Sequence, residues 1–241
     1  MSKNLSSIVT VLGIGALGLL TRRRGSQYGR GFLDATSIHD LEKVPSYRRR
    51  IVDTLYIRNL ETLPENLGEV LLGFPNLEEL EIRNSVIGDL PVEIGMLTNL
   101  KKIRLENCRI TSIPESIGDL VHLEHLDLEN NKITFLPDSI GNLIKLRHLD
   151  ISKNEVSYIP ESIGNLINLQ HLDLGNNNLT TLPKRLADLK SVDGLFWIFG
   201  NNIVKPSVTT FQYWVENMPR VMFRGIMISI KRTSMSELRR F

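Results

Sequence analysis

The most regular feature of this chain is a spacing of apolar residues that returns every 23 positions. Five segments share it: NLEELEIRNSVIGDLP, NLKKIRLENCRITSIP, HLEHLDLENNKITFLP, KLRHLDISKNEVSYIP and NLQHLDLGNNNLTTLP. Their first leucines are Leu77, Leu100, Leu123, Leu146 and Leu169. Within each segment two apolar residues flank a single polar one, which predicts a short β-strand with one buried face. The segment after each proline predicts a short helical or 3₁₀ turn.

A single unit of this kind cannot fold alone. Ordering one unit costs roughly 35 kcal/mol at about 1.5 kcal/mol per residue, which a few buried leucines do not recover. The units must therefore stack, and the predicted product is a curved α/β solenoid whose parallel sheet lines the concave face. Irregular units flank the five. Val52, Leu55 and Ile57 predict a first strand, and Val192, Leu195 and the stretch WIFGNNIV predict a last one, so we expect about seven strands.

The repeat L-x-x-L-x-L-x-x-N-x-I-x-x-L-P resembles the leucine-rich repeat family. Its LP-x-x-IG-x-L spacing is similar to that of plant intracellular Ras-group-related and Shoc-type scaffold proteins. The asparagine position is expected to satisfy backbone groups where each strand turns away, and it is occupied by Ser85, Cys108, Asn131, Asn154 and Asn177. The resemblance covers residues 51–203 and implies a non-enzymatic scaffold that binds other proteins.

Charge divides the chain into the same three segments as the apolar pattern. Residues 1–50 carry nine Lys/Arg against three Asp/Glu, residues 51–203 thirteen against 22, and residues 204–241 seven against two. We interpret them as an apolar segment (5–20) with a basic linker, a leucine-rich repeat domain, and a C-terminal cap with a basic aromatic arm. Basic segments usually contact an acidic partner or surface. One cysteine excludes an intramolecular disulfide framework.

Two columns of outward-facing residues cross the predicted strands. One contains Glu79, Lys102, His125, His148 and His171, and the other contains Glu81, Arg104, Asp127, Asp150 and Asp173. Because adjacent strands lie about 4.8 Å apart, the glutamates neutralise Lys102 and Arg104. The His–Asp grid is an acidic, pH-sensitive surface for a basic partner, a Zn²⁺-type site, or a solvated face. A flat sheet has nothing behind the ligands to orient them, so we expect no metal. We assign partner binding to Lys102 and Arg104 and to the histidines and aspartates that follow them in the two columns.

The sequence contains no motif that indicates catalysis. It has no G-x-S-x-G, no H-E-x-x-H and no phosphate-binding loop, and its carboxylates belong to the repeat grid. The G-x-G-x-x-G at Gly13, Gly15 and Gly18 does not open the helix that dinucleotide binding requires. We therefore predict no enzyme activity, no cofactor and no small-molecule substrate. Nucleic acid is not expected as a partner, because the acidic repeat domain repels phosphate.

An uncharged block runs from Leu5 to Leu20 and precedes three arginines. As a helix it spans about 24 Å, short of the roughly 30 Å of a bilayer core, although flanking basic side chains can reach the headgroups. It is a membrane segment, an apolar arm buried against another protein, or an uncleaved organellar targeting segment. A cleaved secretion signal is disfavoured because the charge follows the apolar block. The residues expected to contact membrane or partner are Ile8, Val11, Leu12, Leu17, Leu20, Arg22, Arg23 and Arg24.

The C-terminal flank combines aromatic and basic residues. SVTTFQYWVENM places Phe211, Trp214, Val215 and Met218 on one helical face, which predicts a helix that seals the last repeat. RVMFRGIMISIKR predicts a docking strand or arm. We expect Trp214 and Phe223 to add to the arm contacts.

These features together predict a protein-interaction scaffold. We expect a structural subunit of a large membrane-associated assembly, such as a minor virion component or an organellar complex subunit, held by its two arms. The arginines after the apolar block place the repeat domain on the cytoplasmic side. The alternative is a soluble signalling adaptor whose concave face binds a small GTPase, a phosphatase or a similar partner.

Overall fold

The repeats stack into one parallel sheet. A computed structural model describes residues 7–10, 31–35, 41–61, 65–192, 195–204, 206–220 and 222–228. In these residues nine strands pair in chain order. They are β1 Ser7–Thr10, β2 Gly31–Ala35, β3 Val52–Arg58, β4 Glu79–Arg83, β5 Lys102–Glu106, β6 His125–Asp127, β7 His148–Asp150, β8 His171–Asp173 and β9 Leu195–Trp197. The predicted α/β solenoid is confirmed.

The prediction of about seven strands was too low. The first and last predicted strands exist as β3 and β9, and β1 and β2 extend the sheet on the N-terminal side. Leu33 and Ala35 of β2 are fully buried. Both additional strands lie in the segment assigned to the arm and linker, where the repeat's leucine spacing is absent. The exposed edge of β3 provides ladder hydrogen bonds that a short segment can use without that spacing.

Short 3₁₀ turns form the opposite side of the solenoid. They span Val92–Met96, Glu115–Asp119, Asp138–Asn142, Glu161–Asn165 and Lys184–Asp188. A proline in extended conformation precedes each turn, because its fixed φ suits the position just before a helical turn. Two short helices, α1 (Ser46–Arg49) and α2 (Leu67–Leu72), belong to the irregular N-terminal units.

A ladder of buried polar side chains supports the turn after each strand. Asn131 Oδ1 accepts hydrogen bonds from Cys108 N and Ile110 N at 2.9 and 3.1 Å, and its Nδ2 donates to Leu105 O at 2.6 Å. Asn154 repeats the arrangement one unit later. Cys108 itself occupies the ladder, since its thiol donates to Ile82 O at 3.2 Å. The assignment of this position from the sequence is confirmed by these contacts.

The C-terminal end of the core is covered by helix α3 (Val208–Asn217). Ser207 caps its N-terminus, because the hydroxyl accepts from Thr210 N at 3.2 Å. Residues 222–228 are helical, so the strand predicted for this segment is wrong there. Met222 and Ile226 are both fully buried, and their spacing of four residues is that of one helical face.

Candidate functional site

The predicted columns of outward residues are realised by the strand register. His125, His148 and His171 are consecutive register partners, as are Asp127, Asp150 and Asp173. Lys102 aligns with His125 and Arg104 with Asp127. Each outward residue alternates with a leucine or isoleucine that is fully buried. The sheet therefore brings together all eight residues assigned to partner binding.

The N-terminal half of this face is internally ion-paired. Arg104 lies between two carboxylates, with Nε 3.0 Å from Asp127 Oδ2 and Nη1 3.4 Å from Glu81 Oε2. Lys102 Nζ lies 3.6 Å from Glu79 Oε2. The positive side chains are thus occupied within the sheet, which leaves them little attraction for an external acidic partner.

Three imidazole rings stack along the first column. The ring centroids of His125 and His148 lie 4.0 Å apart at an interplanar angle of 7°, and those of His148 and His171 lie 4.1 Å apart at 23°. Burial lowers the pKa of His125 to about 4, helped by the charge of Arg104. Burial and the neighbouring rings lower the pKa of His148 to about 4 as well. Both rings are therefore neutral at pH 7.

The second column ends in the carboxylates of Asp150 and Asp173, which accept hydrogen bonds from the backbone. Asp150 Oδ1 accepts from Ser152 N and Asp173 Oδ1 from Gly175 N, both at 2.8 Å. These bonds to the strand end explain why aspartate suits this position. Burial raises the pKa of both carboxyl groups above the usual range. Within the part of the chain that the structure describes, no salt bridge reaches Asp150 or Asp173.

Trp197 continues this column on β9, although the repeat pattern did not indicate it. It is the register partner of Asp173, and 48% of its surface is exposed. The repeat spacing counted from Val192 aligns Leu195 with Leu172, whereas the structure pairs Leu172 with Phe196. The extra residue of the last unit therefore precedes the strand. Asn201 stands one residue later than the asparagine of a regular repeat, and this was the signal that the spacing had changed.

Two sets of outward atoms are close enough to hold a metal ion. One set comprises His148, Asp150 and His171, and the other comprises Asp127, Glu129 and Asp150. In each set one ligand atom per residue lies within 4.8 Å of the others. In the second set Asp127 already pairs with Arg104 and Glu129 with Lys153.

Most of the residues predicted to form the N-terminal arm lie outside the described part of the chain, unlike the histidines and aspartates of the concave face. Ile8 lies in β1. Val11, Leu12, Leu17, Leu20, Arg22, Arg23 and Arg24 lie outside the described residues. No helix in the described ranges has the length and apolar character needed to cross a membrane.

The two C-terminal arm residues belong to the cap. Trp214 is 1% exposed, and its Nε1 donates to Lys184 O at 3.2 Å. The ring of Phe223 is partly buried and lies 5.8 Å from that of Phe211, centroid to centroid. Trp214 therefore has no surface left for the arm contact predicted from the sequence. Packing of Trp214 against the end of the solenoid stabilises α3, because a helix this short is only marginally stable in isolation.

Family models and solved structures agree with this architecture. A model described as "Leucine rich repeat" matches residues 98–156, and one described as "Leucine Rich repeats (2 copies)" matches residues 144–191. Comparison with curated protein sequences gives no match. The chain is a leucine-rich repeat protein. Leucine-rich repeat domains generally mediate protein–protein interaction, and the family is typically a non-enzymatic interaction module.

Similar folds occur in bacterial and plant proteins. A leucine-rich repeat protein of Leptospira interrogans is 24% identical with a TM-score of 0.51, over 78% of this chain and 58% of that one. The Arabidopsis receptor kinase HAESA, solved with the peptide hormone IDA and the co-receptor SERK1, is 25% identical with a TM-score of 0.58, over 74% and 30%. A TDR receptor is 26% identical with a TM-score of 0.56, over 72% and 30%. This chain thus spans less than two thirds of each of these proteins.

Proposed function

We propose that this chain is a non-enzymatic scaffold that binds a partner protein on the C-terminal half of its concave face, formed by β7, β8 and β9. The observation that carries the proposal is the change in ion pairing along the sheet. Arg104 occupies the carboxylates on its own side, whereas Asp150 and Asp173 have no salt bridge within the described residues. Carboxylates that no salt bridge engages attract a partner with Lys or Arg side chains.

The aromatic side chain beside these carboxylates supports the same surface. Trp197 is half exposed next to Asp173. Tryptophan is enriched at the energetically dominant positions of protein interfaces. HAESA, which is similar in fold, was solved with a peptide hormone, and this supports a protein or peptide as the occupant. The partner that fits is basic with at least one apolar side chain.

Charge reversal tests the proposal. The double variant Asp150→Lys/Asp173→Lys should reduce specific partner capture from the native cells at least about tenfold, because it replaces attraction by repulsion. Capture is measured by quantitative mass spectrometry of proteins that co-purify with the tagged chain. The matched control is Asp119→Lys/Asp138→Lys, which makes the same charge change at exposed positions in the 3₁₀ turns. Equal capture by both double variants would contradict the proposal.

We also infer a membrane-associated assembly as the cellular setting, with the repeat domain on the cytoplasmic side. The support is the uncharged block followed by Arg22, Arg23 and Arg24. Because Ser7–Thr10 pair with β2, membrane contact would depend on residues 11–20 and the arginines. This setting explains the apolar block, which a soluble signalling adaptor does not require.

Vesicle flotation distinguishes a membrane-associated subunit from a soluble signalling adaptor. The full chain and a chain that starts at Gly25 are compared in neutral and in anionic vesicles. Flotation of the full chain alone, in both lipids, is the expected result, because apolar insertion does not depend on lipid charge. Flotation of both chains in anionic vesicles only would assign binding to the arginines. Flotation of neither, with partner capture retained, would instead favour the adaptor.

A further inference from the structure

The C-terminal half of the concave face has the donors of a metal site. His148 and Asp150 lie two residues apart on β7, and His171 lies opposite His148 on β8. One ligand atom from each lies within 4.8 Å of the others. We propose that His148, Asp150 and His171 bind a divalent transition-metal ion, with Zn²⁺ the ion that best fits these donors. Binding requires the stacked rings of His148 and His171 to rotate until both nitrogen lone pairs converge on the ion. Two imidazoles and one carboxylate then leave a fourth tetrahedral position for water or a partner side chain.

Each imidazole can present a ring nitrogen to a metal ion, and the lone pair on that nitrogen is the ligand. The Nε2 atom of His171 is shielded from solvent and has no hydrogen-bond partner among the described residues. Coordination would satisfy a ring nitrogen of this kind.

The carboxylate is held in place by the strand end. Asp150 Oδ1 accepts from Ser152 N at 2.8 Å, which restrains the orientation of the carboxyl group. The face was expected from the sequence to lack groups that orient its ligands. The backbone N–H of Ser152 is such a group, and outer hydrogen bonds of this type tune metal affinity.

The surrounding charges favour a cation beside His148 and His171 over a cation beside His125. Arg104 lies beside Asp127 and would repel a cation close to His125. Asp150 and Asp173 are instead register partners on adjacent strands, so two carboxylates lie side by side. A dication between β7 and β8 would offset the repulsion between these carboxylates.

Calorimetric titration of the EDTA-treated full chain with ZnCl₂ tests the proposal. One ion should bind per chain, and Co²⁺ in its place should give the visible absorption of a tetrahedral site. His148→Gln/His171→Gln should weaken binding at least about a hundredfold, at about tenfold or more per lost ligand. The matched control is His122→Gln, an exposed histidine whose ring nitrogen lies 2.8 Å from Lys145 Nζ. It should change the affinity less than twofold.

Thermal unfolding in EDTA shows whether each variant is folded. Asp150→Asn, which keeps the shape of the side chain, provides a second test should the double variant not fold, and it should bind about tenfold more weakly. Absence of saturable Zn²⁺ binding, or unchanged affinity in a folded site variant, would overturn the proposal. The inference does not depend on the proposed function, although both involve Asp150. Metal titration of His148→Gln/His171→Gln tests the metal site alone, and partner capture by Asp150→Lys/Asp173→Lys tests the partner surface.

Discussion

At the scale of single residues, the fold depends on one buried polar side chain per repeat. Asn154 accepts from Ile133 N and donates to Leu128 O and Ile151 O, each at 3.0 Å. Asn154→Ala should lower the free energy of unfolding by about 2–4 kcal/mol, because it leaves buried backbone groups unsatisfied. Urea denaturation measures this. Asn178→Ala, at an exposed position of the same loop type, should stay within about 0.5 kcal/mol, and equal losses would contradict the ladder's role.

Cys108 is a ladder residue and not a reactive thiol. It is fully buried, and burial raises its pKa to about 12. Since the thiolate is the reactive form, a disulfide reagent at pH 8 should leave the native chain unmodified while it labels one thiol in denatured chain. Absorbance of the thiol that the reagent releases measures the rate of labelling in the native and in the denatured chain. Rapid stoichiometric labelling of native protein would show that the position is open to solvent.

At the scale of elements, a glycine in each of the first four 3₁₀ turns named above permits close stacking. A Cβ on Gly141 would lie 2.5 Å from Ser162 O and 2.7 Å from Ser162 Cβ in the next unit. Gly141→Ala should therefore lower the free energy of unfolding by about 1–3 kcal/mol through overpacking. Gly225→Ala is the control, because its nearest new contact is the Phe196 ring at 3.3 Å. Denaturation midpoints compare the two, and a neutral Gly141→Ala would show that adjacent turns can separate.

Helix α3 seals the open end of the last repeat. Trp214 is buried, and Tyr213 Oη donates to Asp188 Oδ1 at 2.8 Å. Trp214→Ala should cost about 3–5 kcal/mol, as for other buried aromatic residues. Val215→Ala, which is 57% exposed on the same helix, should cost little. A small effect of Trp214→Ala in thermal unfolding would mean that the solenoid is stable without its cap.

The sequence predicts the regular strands and the two columns of outward residues. The features that it did not predict each have a separate local cause. Each leucine spacing identifies a strand, and strict register then fixes which residues are neighbours. β1 and β2 were missed because pairing to an available edge, not an internal pattern, forms them. Trp197 was missed because one inserted residue moves every following side chain to the other face. The stacking of His125, His148 and His171 depends on rotamers, which spacing does not determine.

At the scale of the whole molecule, the concave face has two halves that differ in ion pairing. Glu81, Arg104 and Asp127 close one half with internal ion pairs. In the other half, no salt bridge among the described residues reaches Asp150 or Asp173, and Trp197 is half exposed. Because both halves share one continuous sheet, a partner that binds the open half is held at a fixed orientation to the cap and to the N-terminal strands. The central claim is that partner binding is confined to this open half.

Site-specific photo-crosslinking in the native cells tests that claim most directly. The photoreactive residue p-benzoylphenylalanine is placed at position 197 on the open half, or at position 144, where Ile144 is 53% exposed outside the sheet. The account predicts a discrete adduct with one protein from position 197, lost on Asp150→Lys/Asp173→Lys, and none from position 144. An adduct from position 144 alone, or one from position 197 that survives the charge reversal, would contradict it.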